Sequence, residues 1–169
     1  LQPLGIEWSR LLDDGFLDDW SLDDIGAQQD FYADHIRPPL AESERKRAFV
    51  IISDAFRYEA AQELTQELNG KYRFEASLSS QLSVLPSYTA LGMASLLPHS
   101  TLEYNQKGDV LVDGKSCASS DQRNTILSAV DGMVVKADVL LGMKKEQGRD
   151  LVAGKKVVYI YHDEIDSRG

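Results

Sequence analysis

The chain has one cysteine, Cys117, in 169 residues. An internal disulfide is therefore excluded, and a reducing cytoplasm is the natural setting. No apolar run approaches the roughly 18 residues that a membrane-spanning helix needs. Leu1 to Arg10 lacks the basic then apolar pattern of a signal peptide. A basic surplus is missing too: the net charge is -9, with 27 acidic against 18 basic residues. A free-standing nucleic-acid binder usually carries a basic face, so phosphate-backbone binding by the average surface is disfavoured. No repeat or low-complexity tract occurs. What remains is an ordinary globular composition, 43% hydrophobic and 27% charged, of a size for one cored domain or part of a larger one. The absence of a starting methionine suggests a piece of a longer protein.

Residues 1–44 differ in pattern from the rest of the chain. Trp8, Leu11, Leu12, Phe16, Leu17 and Trp20 recur at helical spacing among the acidic residues Asp13, Asp14, Asp18, Asp19, Asp23 and Asp24. Ser21 with Asp24 resembles a helix start, and Ile25, Phe31, Tyr32 and Ile36 continue the pattern. Pro38-Pro39 is expected to end it. The segment reads as an amphipathic helical lead-in whose aromatic stripe packs on the neighbouring domain, with a partner-docking surface as the alternative. His35 reads as an exposed or capping residue.

From Ala48 the pattern becomes α/β. The uncharged run 48–52 reads as a strand buried on both faces, as in a parallel sheet. Residues 57–69 read as a helix stopped by Asn69-Gly70, and Tyr72 to Leu78 as a strand of period two. Pro86 to Leu97 reads as a helix ended by Pro98, with Ser87 as a candidate cap. Val110 to Val112 followed by Asp113-Gly114 suggests a hairpin. Asp121 to Val130 reads as a helix capped by Ser119 or Ser120, and Met133 to Lys136 as a strand. Ala137 to Val152 reads as a helix weakened by Gly142 and Gly148, and Val157 to Tyr161 as a last buried strand. The sum is a mostly parallel sheet flanked by helices.

Ligands of such sheets bind beyond the carboxyl ends of the strands. Asp54 follows the first strand directly and can project over that edge to a cation, or cap the next helix. Hydroxyls at Ser83, Ser87 and Thr89 cluster before a helix of small apolar residues, where free N–H groups suit a phosphate or a cap. His162, Asp163, Glu164 and Asp166 crowd the end of the last strand, which requires solvent or a cation. Arg57 could reach a phosphate or pair with an acid. His99 sits in a turn after Pro98, and Cys117 lies in a Ser/Ala-rich loop where it is incidental rather than reactive. Together these residue types suit metal-assisted phosphoryl or ester transfer.

Three blocks carry a resemblance: Phe49-Val50-Ile51-Ile52-Ser53-Asp54-Ala55-Phe56-Arg57-Tyr58-Glu59, Leu85-Pro86-Ser87-Tyr88-Thr89 through Gly92-Met93 to Leu96-Leu97-Pro98, and Tyr159-Ile160-Tyr161-His162 to Ile165-Asp166. In this order they resemble the PglZ family of the alkaline phosphatase superfamily, found in bacterial BREX phage-defence systems. The resemblance covers 48–169, which it implies is the N-terminal part of an alkaline-phosphatase-like core, truncated, with 1–47 as the preceding region. It implies two divalent cations, often zinc, in the full domain. It places Asp54 and Asp166 as metal ligands, with His162 a further candidate. It makes Thr89 the nucleophile, with Ser87 and Ser83 as alternatives. Val84 stands where some branches carry the hydroxyl. Asp166-Ser167-Arg168-Gly169 resembles the start of the superfamily's Asp-x-x-Gly-His metal motif, whose histidine would fall beyond Gly169. The chain alone is therefore expected to bind metal weakly or not at all, to be inactive, and to leave a sheet edge or apolar face uncovered. The resemblance implies a phosphate ester or nucleic-acid substrate and other phage-defence proteins as partners, with no membrane. An assembly module with an auxiliary site is the competing function.

Overall fold

The computed structural model describes residues 2–44, 46–72 and 74–168. A parallel sheet of order β1-β6-β5 is built from β1 (Ala48–Ser53), β5 (Gly132–Lys136) and β6 (Val157–His162). Ala48 pairs with Val157 and Ser53 with His162, so β1 and β6 end level with each other. A second, antiparallel sheet joins β2 (Leu102–Tyr104), β3 (Val110–Val112) and β4 (Lys115–Ser116). Asp113 and Gly114 link β3 to β4 with φ of 47° and 72°. Both central residues of that tight hairpin turn need positive φ, which Asp and Gly accept best.

The core lies on one face of the parallel sheet. Alternation along β6 sends Val157, Tyr159 and Tyr161 to that face, where they meet Val50, Leu91, Ala94, Leu97, Ile126 and Leu127. Leu91 and Ala94 come from α4 (Thr89–Ser95), Ile126 and Leu127 from α5 (Ser120–Ser128). The Tyr159 hydroxyl donates to Leu96 O at 2.5 Å, fixing the end of α4 to the middle of β6. The other face gathers Val158 and Ile160 with Val135 and Val152. It is covered by α6 (Ala137–Leu141) and α7 (Lys145–Leu151).

The α/β class and the parallel sheet agree with the sequence, and several elements do not. β1 is not buried on both faces: Val50 is buried, but Phe49 and Ile51 are 53% and 68% exposed at the free edge of the sheet. Tyr72 to Leu78 is no strand, because its described residues lack a ladder partner. The helix α3 (Tyr58–Lys71) runs through Asn69-Gly70; Asn69 bonds the backbone N and O of Ala76 at 2.8 Å each. α4 starts at Thr89, three residues after Pro86, with Tyr88 as cap residue and no side-chain cap bond, so Ser87 does not cap it. Ser119 does cap α5, in a reciprocal pair with Gln122. The expected helix 137–152 breaks at Gly142, which closes α6.

The long helix of the lead-in is α1 (Gln2–Asp13). Beyond it Phe16 and Trp20 pack edge-on with Trp8, and the Trp20 indole N–H donates to Ser83 O at 2.7 Å. A turn of π-helix, Tyr32–Ile36, puts Tyr32 and Ile36 into the core. Pro38-Pro39 does not end a helix but opens α2 (Arg37–Ala41), whose first turn needs no N–H.

Candidate active site at the sheet edge

The carboxyl ends of β1 and β6 bring two predicted residues together. Ser53 Oγ lies 2.9 Å from His162 Nδ1, a bond between paired residues that end the two strands. One step on, the Asp54 N–H donates to His162 O at 3.1 Å. Asp54 is half-buried, and its Oδ1 accepts the Ala55 N–H at 3.0 Å. Ala55 holds φ at 58°, a left-handed conformation costly for a residue with a Cβ. The chain thus turns sharply over the sheet edge, keeping one Asp54 oxygen on its own backbone. Asp54 does not cap α3, whose cap residue is Arg57 with no side-chain cap bond. Arg57 is exposed, immediately before α3.

Thr89 and Ser87 are both exposed at the start of α4. Their position relative to the sheet edge is set by the residues between. The end of α4 lies against Tyr159. Proximity to the Tyr104 phenol raises the Tyr88 hydroxyl above its ordinary pKa. Asp166 sits in a 3-10 turn, Asp166–Arg168, exposed to solvent. No hydrogen bond or ion pair between described residues joins Asp54, Thr89 and Asp166 to one another.

Two contributors were not singled out from sequence. Ser53 stood only as the residue before Asp54; its register opposite His162 needed the strand pairing. Arg123 lies with its guanidinium 4.5 Å from the centre of the Tyr161 ring and donates to Cys117 O and Ala118 O, each at 3.0 Å. Burial raises the Tyr161 phenol, with Arg123 acting in the opposite sense. Cys117 is buried, and burial pushes its thiol up, which makes it a poor nucleophile. His35 is exposed and tilts against Phe31, and His99 holds Leu97 O through Nδ1 at 2.7 Å.

A tight zinc site takes three or four protein ligands. Among the described residues no group of three or more His, Cys, Asp or Glu could hold an ion. Asp54 and His162 stand at adjacent strand ends, joined by the Asp54 N–H to His162 O bond.

An α/β domain with hydroxyl, carboxylate and imidazole groups at one edge of a parallel sheet is the class that fold and site define. The family model described as the BREX system PglZ alkaline phosphatase-like domain matches residues 31–169. The chain belongs to the PglZ family. It is 43% identical over 172 aligned residues to the "Alkaline phosphatase-like protein BrxZ" of Escherichia coli O9:H4 (strain HS). It is 39% identical over 171 to the "Alkaline phosphatase-like protein PglZ" of Bacillus cereus (strain H3081.97). Each alignment uses 100% of this chain and 20% of the relative, so the chain spans about a fifth of the length of these relatives. No solved structure matches. Among the described residues no helix is long and apolar enough to cross a membrane.

Proposed function

We propose that this chain is part of a metal-dependent hydrolase core acting on a phosphomonoester or phosphodiester, within a longer cytoplasmic protein of a bacterial BREX phage-defence system. The observation that carries the reading is the meeting of Ser53, Asp54 and His162 where β1 and β6 end level. Family membership supports it, since the matching family is described as alkaline phosphatase-like.

In this reading residues 48–169 are the N-terminal part of the catalytic domain and 1–47 the region before it. Asp54, Asp166 and His162 are the metal-ligating candidates. Thr89 is the nucleophile, with Ser87 as the alternative, and Arg57 steadies a non-bridging phosphate oxygen. Divalent cations, zinc by family resemblance, would supply Lewis acidity in the longer protein. In this reading the chain alone is expected to bind metal weakly or not at all and to be inactive, since the superfamily's remaining ligands would lie beyond Gly169.

The test compares wild type, Asp54→Ala and Thr89→Ala in a protein of the relatives' length. Both variants are expected to lose hydrolysis of phosphate esters by about 100-fold or more while still assembling with other defence proteins. The exposed apolar residues of the lead-in, Leu4, Ile6, Trp8 and Leu11 among them, favour the second reading, an assembly module with an auxiliary site. Retained hydrolysis and assembly in both variants would put that reading first.

A further inference from the structure

An open cleft of about 810 Å³ lies beside the segment that leads into α4. Leu82, Val84, Leu85 and Pro86 line it together with the rings of Trp20 and Tyr104. Its volume suits a small organic group, within the roughly 300–1,000 Å³ of ligand sites. The Trp20 ring is held in place by its N–H bond to Ser83 O and by Phe16, whose ring centre is 5.3 Å away. The Gln28 amide in the wall is already committed, donating to Gly92 O at 3.2 Å and accepting the Val84 N–H at 3.4 Å. Asp18 is the one charged residue among the lining residues described.

These features select what can enter. A phosphate would meet a carboxylate and no cation, so the cleft disfavours the charged end of an ester. A flat ring can stack on a fixed indole between aliphatic walls, and a ring amine can donate to Asp18. The cleft also borders α4, whose Leu91 is one of its lining residues. Pro86 stands three residues before Thr89 in the segment that leads into α4. We infer that the cleft takes the planar aromatic group of the phosphate ester, a nucleobase or an aryl ring, while its phosphate faces the start of α4 and the sheet edge. This inference rests on the hydrolase reading for its phosphate end and on the cleft alone for its ring.

The test is a map of amide and indole NMR shifts in the 169-residue chain, titrated with AMP, 4-nitrophenyl phosphate, ribose 5-phosphate and methyl phosphate. The two aromatic esters are expected to shift the Trp20 indole N–H and the amides of Leu82, Val84 and Leu85. The two non-aromatic esters are expected to leave them in place. If Asp18→Asn weakens AMP alone, by about tenfold for a lost charged hydrogen bond, the ring is a nucleobase. If it changes neither, the cleft takes aryl rings in general. No shift from either aromatic ester, or an equal shift from ribose 5-phosphate, overturns the inference. The readout needs no turnover, so hydrolysis retained by Asp54→Ala would remove the hydrolase reading and leave this result standing.

Discussion

At the scale of single residues, Asp113 makes the clearest electrostatic statement. Its Oδ1 accepts the N–H groups of Ser100 at 2.9 Å and Thr101 at 2.8 Å. Those bonds, the Ser100 N–H first, hold its carboxyl below the ordinary value. A lowered folded pKa means that the stabilisation is full above the unfolded value, near pH 4, and is lost as pH falls through the lower folded value. Asp113→Asn keeps a residue that tolerates the positive φ and removes the titration. Chemical denaturation between about pH 2 and 6 should find wild type more stable only at the upper end, with the gap closing as the acid is protonated. A gap independent of pH would contradict the assignment. Asp113 was legible from sequence as a turn residue, because Asp-Gly after an apolar triplet has a local meaning. Its hold on Ser100 and Thr101 was not, since those partners lie twelve and thirteen positions away. The Ser53–His162 bond was hidden for the same reason, with a separation of 109 residues.

At the scale of elements, local chemistry was read well where it alone decides. Ser119 with Gln122 caps α5, and the strands β5 and β6 fall within a residue of their apolar runs. Tyr72 to Leu78 failed because period-two alternation states which side chains could share a face, not whether a partner strand exists. Pro38-Pro39 failed because the same dipeptide that stops a helix also suits its first turn. Among the described glycines, the tightest surroundings are at Gly132, where β5 begins. A Cβ there would meet Leu127 O at 2.9 Å, Leu127 Cβ at 3.1 Å and Val157 O at 3.3 Å. Two of these three are backbone atoms, one of them from the neighbouring strand, and cannot swing aside. Gly132→Ala should destabilise the fold by about 1–3 kcal/mol, read as a lower urea midpoint at unchanged slope. An unchanged midpoint would show that α5 and β5 are not held this tightly.

At the scale of the whole molecule, the two faces of the parallel sheet are unequal. One carries the main core and α4, while the other is covered over β5 and β6 and leaves Phe49 and Ile51 of β1 exposed. The residues with chemistry lie beyond the carboxyl ends of the strands rather than in either face. That Asp54 stands at a strand end was legible, because it follows the apolar run 48–52 almost directly. How close Thr89 and Asp166 come to Asp54 was not legible, because it depends on how α4 and the turn after β6 settle. The most direct test is a crystal of a protein of the relatives' length soaked with zinc and measured at the zinc absorption edge. The account predicts an anomalous peak about 2.0–2.2 Å from an Asp54 carboxylate oxygen, on the same side of the sheet edge as the Thr89 hydroxyl. Zinc bound elsewhere with none at Asp54, or Asp54 and Thr89 facing away from each other, would contradict it.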